Sequence, residues 1–152
     1  MKFSILITNY NKKPFLKQCV QSCLKQSYKN FEIIIFDNYS NDGSQLLLKK
    51  FEKKCIIKKQ ERVSNNSATN QIDLIKKGTK YCSGDVICLL DSDDYFFANK
   101  LKVIKKNFQN NKNLSILFDV PLLKKNKKLH KQILKFFFKK NTWPTIINTS
   151  GI

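Results

Sequence analysis

The feature that most constrains this chain is a recurring unit: a short apolar run with β-branched members, a polar cluster, then an apolar pattern at helical spacing. Phe3, Ile5, Leu6 and Ile7 form the first run, which closes on Thr8-Asn9-Tyr10-Asn11. Phe31 to Phe36 form the second, closing on Asp37 and a cap-rich turn from Asn38 to Ser44. Ile56-Ile57 is a short third run, and Val86 to Leu90 is a fourth, closing on Asp91, Ser92, Asp93 and Asp94. Between them, Pro14 opens a helix carrying Leu16, Cys19, Val20 and Cys23 on one face, Leu46 to Leu48 and Phe51 mark a second helix, and Ile72, Leu74 and Ile75 begin a third that Gly78 weakens or ends. Glu61 to Asn70 reads as a polar loop. Strand and helix in strict alternation predict an α/β fold with a mostly parallel sheet, right-handed crossovers and helices on both faces.

In such sheets ligands bind beyond the carboxyl ends of the strands, where all three polar clusters lie. The acidic one is the most expensive to maintain. Asp91, Asp93 and Asp94 repel one another unless a cation or strong donors sit among them, and a hard divalent ion such as Mg2+ or Mn2+ relieves that repulsion through oxygen ligation. A plainer alternative is a solvated acidic turn in which Ser92 or Asp94 caps the next helix.

That next helix spans Asn99 to Phe108, with Leu101, Ile104 and Phe108 inward. Leu114 to Val120 reads as a further strand ended by Pro121. From Leu122 to Lys140 the chain is lysine-rich around Phe136-Phe137-Phe138, and is expected to form a helix packed on the sheet in preference to lying on a membrane surface.

At 152 residues the chain has the length of one domain. Its 29 Lys+Arg against 11 Asp+Glu give a net charge of +18, which invites phosphate-bearing partners or an anionic membrane face. Nearly all of that charge is lysine, however, and Arg62 is the single arginine, so no specific nucleic-acid reading is expected. Cys19, Cys23, Cys55, Cys82 and Cys88 are odd in number and lack paired metal spacing, which predicts reduced core residues in a cytoplasmic protein. No apolar run approaches the ~18 residues that span a bilayer, and no signal peptide is expected ahead of Phe3.

Three segments, SILITNYNK, FEIIIFDNYSNDGS and SGDVICLLDSDDYF, in this order and at this separation, resemble the nucleotide-sugar-binding half of a family 2 glycosyltransferase. The resemblance spans Phe3 to about Lys100. It implies a Rossmann-like GT-A nucleotide-diphospho-sugar transferase fold over 1–152, with 1–100 as the donor-binding half and 101–152 as the start of an incomplete acceptor-side part. It also implies metal-dependent, inverting transfer of a sugar from a nucleotide diphosphate, usually uridine, to a glycan or lipid-linked acceptor of the cell envelope, at most peripherally attached to the inner face of the membrane.

By the same resemblance Thr8, Asn9 and Tyr10 line the nucleotide pocket, Asp37 accepts a hydrogen bond from the base, Asn70 contributes to the donor site, and Asp91-Ser92-Asp93 is the D-x-D motif. Asp91 helps hold the ribose and the metal, and Asp93 binds the metal, Mg2+ or Mn2+. Two departures from the family pattern stand out. Asn38 replaces the second Asp of the usual pair after the second strand, and Thr69 stands where an Arg often grips the diphosphate, a task left to Lys76, Lys77 or Lys80. Past Asp94 only Asp119 remains as a carboxylate, in a place the family does not use for the base that deprotonates the acceptor hydroxyl. The expectation is a truncated frame or fragment with the base missing, ending at Thr149 to Ile152 on the lead-in to a further strand. The competing class is a non-catalytic basic module for nucleic acid or anionic membranes. A sugar nucleotidyltransferase is disfavoured, because no glycine-rich phosphate loop follows the first strand.

Overall fold

The computed structural model describes residues 1–119 and the strand backbones 122–125, 128–131 and 135–139. The first strand, β1 (Phe3–Asn9), leads into helix α1 (Lys13–Leu24), then β2 (Phe31–Asp37), α2 (Ser44–Lys49), β3 (Ile56–Lys59), α3 (Ser67–Thr79), β4 (Val86–Asp91) and α4 (Lys100–Asn110). β1 pairs in parallel with both β2 and β4, and β2 with β3, so the four expected strands form one parallel sheet in the order β3-β2-β1-β4.

The two faces of β1 explain why the apolar runs are continuous. Ile5 and Ile7 join Ile33, Ile35 and Cys88 under Leu16, Cys19 and Val20 of α1, Leu48 of α2 and Leu101 and Ile104 of α4. Leu6 points the other way, into a smaller cluster with Ile34, Phe36 and Ile87 beneath Leu74 of α3. Successive strand residues face opposite sides, so a strand covered by helices on both is apolar through its middle, with polar side chains such as Ser4 and Glu32 kept near its ends. Gly78 lies inside α3, next to its last residue, and a Cβ there would come within 2.6 Å of Leu6 Cδ1. Its role is to let the helix approach the sheet, more than to end the helix.

Two expectations are corrected. The polar stretch 61–70 is not all loop: α3 begins at Ser67, where Asn66 caps it by accepting a 3.1 Å hydrogen bond from the Thr69 amide. The described residues of the lysine-rich stretch 122–140 are not helical either. After β5 (Ile116–Asp119), which agrees with the expected strand, the chain forms β6 (Leu122–Lys125), β7 (Lys128–Lys131) and β8 (Lys135–Lys139). β6 and β7 pair with each other, while β8 inserts between β4 and β5, antiparallel to both, with Phe138 opposite Ile87 and Phe137 opposite Cys88. A triple-Phe run favours extended backbone, and the open edge of β4 presents unpaired backbone groups for that strand to join. The expected lead-in strand at Thr149 to Ile152 lies outside the described residues.

Candidate active site

Register brings the polar strand ends together. Thr8 sits between Phe36 of β2 and Asp91 of β4, and Asn9 is level with Asp37. Beyond them opens a cleft of about 350 Å³, walled by the β1–α1 turn, the end of β2, the start of α3 and the acidic turn after β4. Of the residues expected at the donor site, Thr8, Asn9, Tyr10, Asn70, Asp91, Ser92 and Asp93 all line it.

Asp37 does not line the cleft. It is fully buried, and its carboxylate accepts hydrogen bonds from Asn9 Nδ2 (2.6 Å), the Ser40 amide (2.9 Å) and Ser40 Oγ (2.6 Å). A carboxylate so enclosed organises the turn. The residue that reaches the cleft from this strand end is Asn38, the position noted above only as a departure. Its amide group donates to the Gln60 carbonyl at 2.9 Å and its backbone N–H to Asn9 O at 2.8 Å.

Asn70 is likewise a wall residue with its polar atoms engaged. Its Oδ1 accepts from the amides of Val63 (2.8 Å) and Ser64 (3.2 Å), and its Nδ2 donates to the carbonyls of Ser64 (2.6 Å) and Asn66 (2.7 Å). That clamp shapes the loop which carries Arg62. The Arg62 guanidinium lies 4.3 Å from the centre of the Tyr10 ring, and both side chains line the cleft. Sequence reasoning passed over Arg62 because it weighed the arginine as a count and not as a position.

On the opposite wall, Asp91 Oδ1 accepts a 2.7 Å hydrogen bond from Gln71 Nε2 and a long 3.5 Å contact from Thr8 Oγ1. Ser92 is buried, and its amide donates to Thr8 O at 3.2 Å, locking the acidic turn onto β1. Asp93 projects outward, 40% exposed, and pairs with Lys12 Nζ at 2.9 Å. The hydrogen bond to Asp93 and its charge hold the Lys12 amine above its usual pKa. Asp94 turns its amide back to Asp91 O at 3.0 Å and is not part of the cleft wall.

Among the described residues no three acidic, His or Cys side chains converge into a self-sufficient metal centre. The donor set nevertheless fits one kind of ion. Mg2+ is commonly held through one or two carboxylates with substrate phosphates completing its shell, and Asp93 with Asp91 on one cleft wall supplies that number. Lys76, Lys77 and Lys80 do not line the cleft, and Lys77 is paired with Asp73 at 2.9 Å.

The fold recurs in solved glycosyltransferases. Staphylococcus aureus TarS in complex with UDP superposes with a TM-score of 0.67 at 22% identity, over 84% of this chain and 37% of that one. The mannosyltransferase PcManGT from Pyrobaculum calidifontis, in complex with GDP-Man and Mn2+, gives 0.69 at 12% identity, over 95% and 46%. The fold is therefore the α/β fold of the GT-A glycosyltransferases. The chain belongs to glycosyl transferase family 2, whose model matches residues 4–150. An uncharacterized glycosyltransferase of Rickettsia bellii is 32% identical over 99% of this chain. The Escherichia coli UDP-Glc:alpha-D-GlcNAc-diphosphoundecaprenol beta-1,3-glucosyltransferase WfgD is 32% identical over 66% of it. The chain spans 21% of the first relative's length and 38% of the second's. Among the described residues no helix is long and apolar enough to cross a membrane.

Proposed function

We propose that this chain forms the donor site of a metal-dependent, inverting glycosyltransferase that takes a uridine diphosphate sugar and serves a glycan or lipid-linked acceptor in envelope polysaccharide synthesis. One observation carries the reading: Tyr10, Asn38 and Asp93, from the ends of three different strands, wall a single cleft. TarS with UDP and PcManGT with Mn2+ share this fold, and WfgD is named for a UDP-glucose donor and a diphosphoundecaprenol acceptor.

In this reading the base lies on the Tyr10 side, where Arg62 covers the ring, and Asn38, the residue after β2, joins that wall. Asp93, with Asp91 behind it, would hold a Mg2+ or Mn2+ ion, which when bound neutralises charge developing on the departing diphosphate. Gln71 and Thr8 keep the Asp91 carboxylate oriented. None of these residues is assigned as the base for the acceptor hydroxyl.

The test is thermal unfolding with UDP-glucose or UDP-N-acetylglucosamine, with and without Mn2+. A ligand at a hundredfold excess over its dissociation constant stabilises by about 2.7 kcal/mol, enough for a clear shift. Asp93→Ala is expected to remove the metal-dependent part of that shift. Indifference to every nucleotide sugar, together with binding to DNA or anionic vesicles that ignores Asp93, favours the basic-module alternative.

A further inference from the structure

We infer that Lys12 is the resident counter-cation of Asp93, displaced when a divalent ion takes the carboxylate and then turned toward the diphosphate. The inference rests on the donor-site reading above. It starts from the 2.9 Å ion pair between Lys12 Nζ and Asp93 Oδ2, which puts an amine on the carboxylate that this reading assigns to the metal.

The backbone at Lys12 is fixed while its side chain is not. Lys12 O accepts from the amides of Phe15 and Leu16 in the first turn of α1, at 3.0 Å each. The side chain itself is 44% exposed and Asp93 40%, so the pair is open to solvent and exchangeable. Exposed pairs of this kind are worth only about 0.2–1 kcal/mol, which a divalent ion can outcompete. Lysine carries its charge on a flexible four-carbon stem with no fixed fork, so leaving Asp93 does not require the backbone to move.

The charge arrangement gives the released amine a destination. Lys12 lines the same cleft as Arg62, whereas Lys76, Lys77 and Lys80 do not. Thr69 offers no cation either. Two cations, Lys12 on the acidic wall and Arg62 on the aromatic wall, therefore flank the space a diphosphate would cross. Empty, the cleft keeps Asp93 neutralised by Lys12. With metal and nucleotide bound, both carboxylate and phosphates are satisfied and the lysine joins the phosphate side.

The experiment measures free Mn2+ by electron paramagnetic resonance, and UDP affinity in the presence of Mn2+ by calorimetry, so neither readout needs turnover. Lys12→Met is expected to bind Mn2+ alone about two- to fivefold tighter, the equivalent of the lost ion pair, and to bind UDP with Mn2+ more weakly. Lys12→Arg is expected to stay within about twofold of the wild type for Mn2+. Lys13→Met removes the same charge one residue away, without touching Asp93, and is expected to change neither value. If the wild type binds UDP with Mn2+ but Lys12→Met leaves Mn2+ affinity unchanged, or tightens it while UDP affinity stays the same, the Lys12 inference is overturned alone. If the wild type binds no UDP with Mn2+ at all, the donor-site reading falls with it.

Discussion

Asn9 Nδ2 donates a 2.6 Å hydrogen bond to Asp37 Oδ1, joining the ends of β1 and β2 in a place where both residues are at most 1% exposed. The bond sits directly beneath the cleft, and Ser40 completes it by donating to the same carboxylate and accepting from Asn9. Cleft shape on the Tyr10–Asn38 side therefore depends on a charge buried behind the cleft wall.

Replacing Asp37 by Ala removes the acceptor of one Asn9 Nδ2 hydrogen, which keeps only its bond to Ser40 Oγ, and of the Ser40 backbone N–H, each unsatisfied donor costing about 1–3 kcal/mol. The expected outcome is a loss of roughly 2–4 kcal/mol in urea unfolding, accompanied by weaker nucleotide binding. Unchanged stability with lost binding would instead place Asp37 in direct contact with the base.

Arg62→Ala removes the guanidinium from the Tyr10 ring, a contact worth about 0.5–2 kcal/mol. The melting temperature is expected to fall by the few degrees that the lost contact represents, and UDP affinity measured by calorimetry is expected to fall with it. Arg62→Lys keeps the charge but loses the flat stacking surface, and is expected to recover only part of the loss.

Acid sensitivity has a specific source away from the cleft. Burial disfavours the charged form of Glu32, but hydrogen bonds from Lys2, Ser4 and Ser83 outweigh it and lower the carboxyl from 4.5 to about 2. Because the folded value lies below the unfolded one, this stabilisation is complete above about pH 4.5 and is lost as the pH falls toward 2. Glu32→Gln is expected to lower stability at pH 7, by less than the shift alone implies because solvent screens its partly exposed Lys2 partner, and to flatten the decline between pH 5 and pH 2, read as urea midpoints across that range.

Two glycines separate by what surrounds them. A Cβ at Gly84 would lie 2.6 Å from the Ser4 backbone nitrogen and 2.7 Å from Phe3 carbonyl carbon, whereas one at Gly78 meets only the Leu6 side chain. Backbone cannot yield as a rotamer can. Gly84→Ala is expected to cost roughly 2 kcal/mol or more, and Gly78→Ala less, both by chemical denaturation.

Much of the cleft was legible before any coordinates. Thr8, Tyr10, Asp91 and Asp93 follow from where apolar runs stop, since a strand covered on both faces leaves polar side chains only at its ends. The buried setting of Asp37 was not legible in the same way, because a strand end has an inside and an outside, and only the neighbouring Asn9 and Ser40 decide which way the carboxylate turns. The lysine-rich tail misled for a related reason: triple Phe at 136–138 has no settled period of its own, and the open edge of β4 settled it as a strand.

The sequence by itself determined the parallel core and its acidic rim, because burial on both faces and alternation with helices are local and periodic properties. Tertiary structure alone decided that Arg62 covers Tyr10 and that Lys12 pairs with Asp93. Those partners are 52 and 81 positions apart in the chain and meet only because β1 lies beside β4 and the loop before α3 folds over the strand ends. Contacts between such distant side chains carry no periodic signal, so no pattern in the sequence announces them.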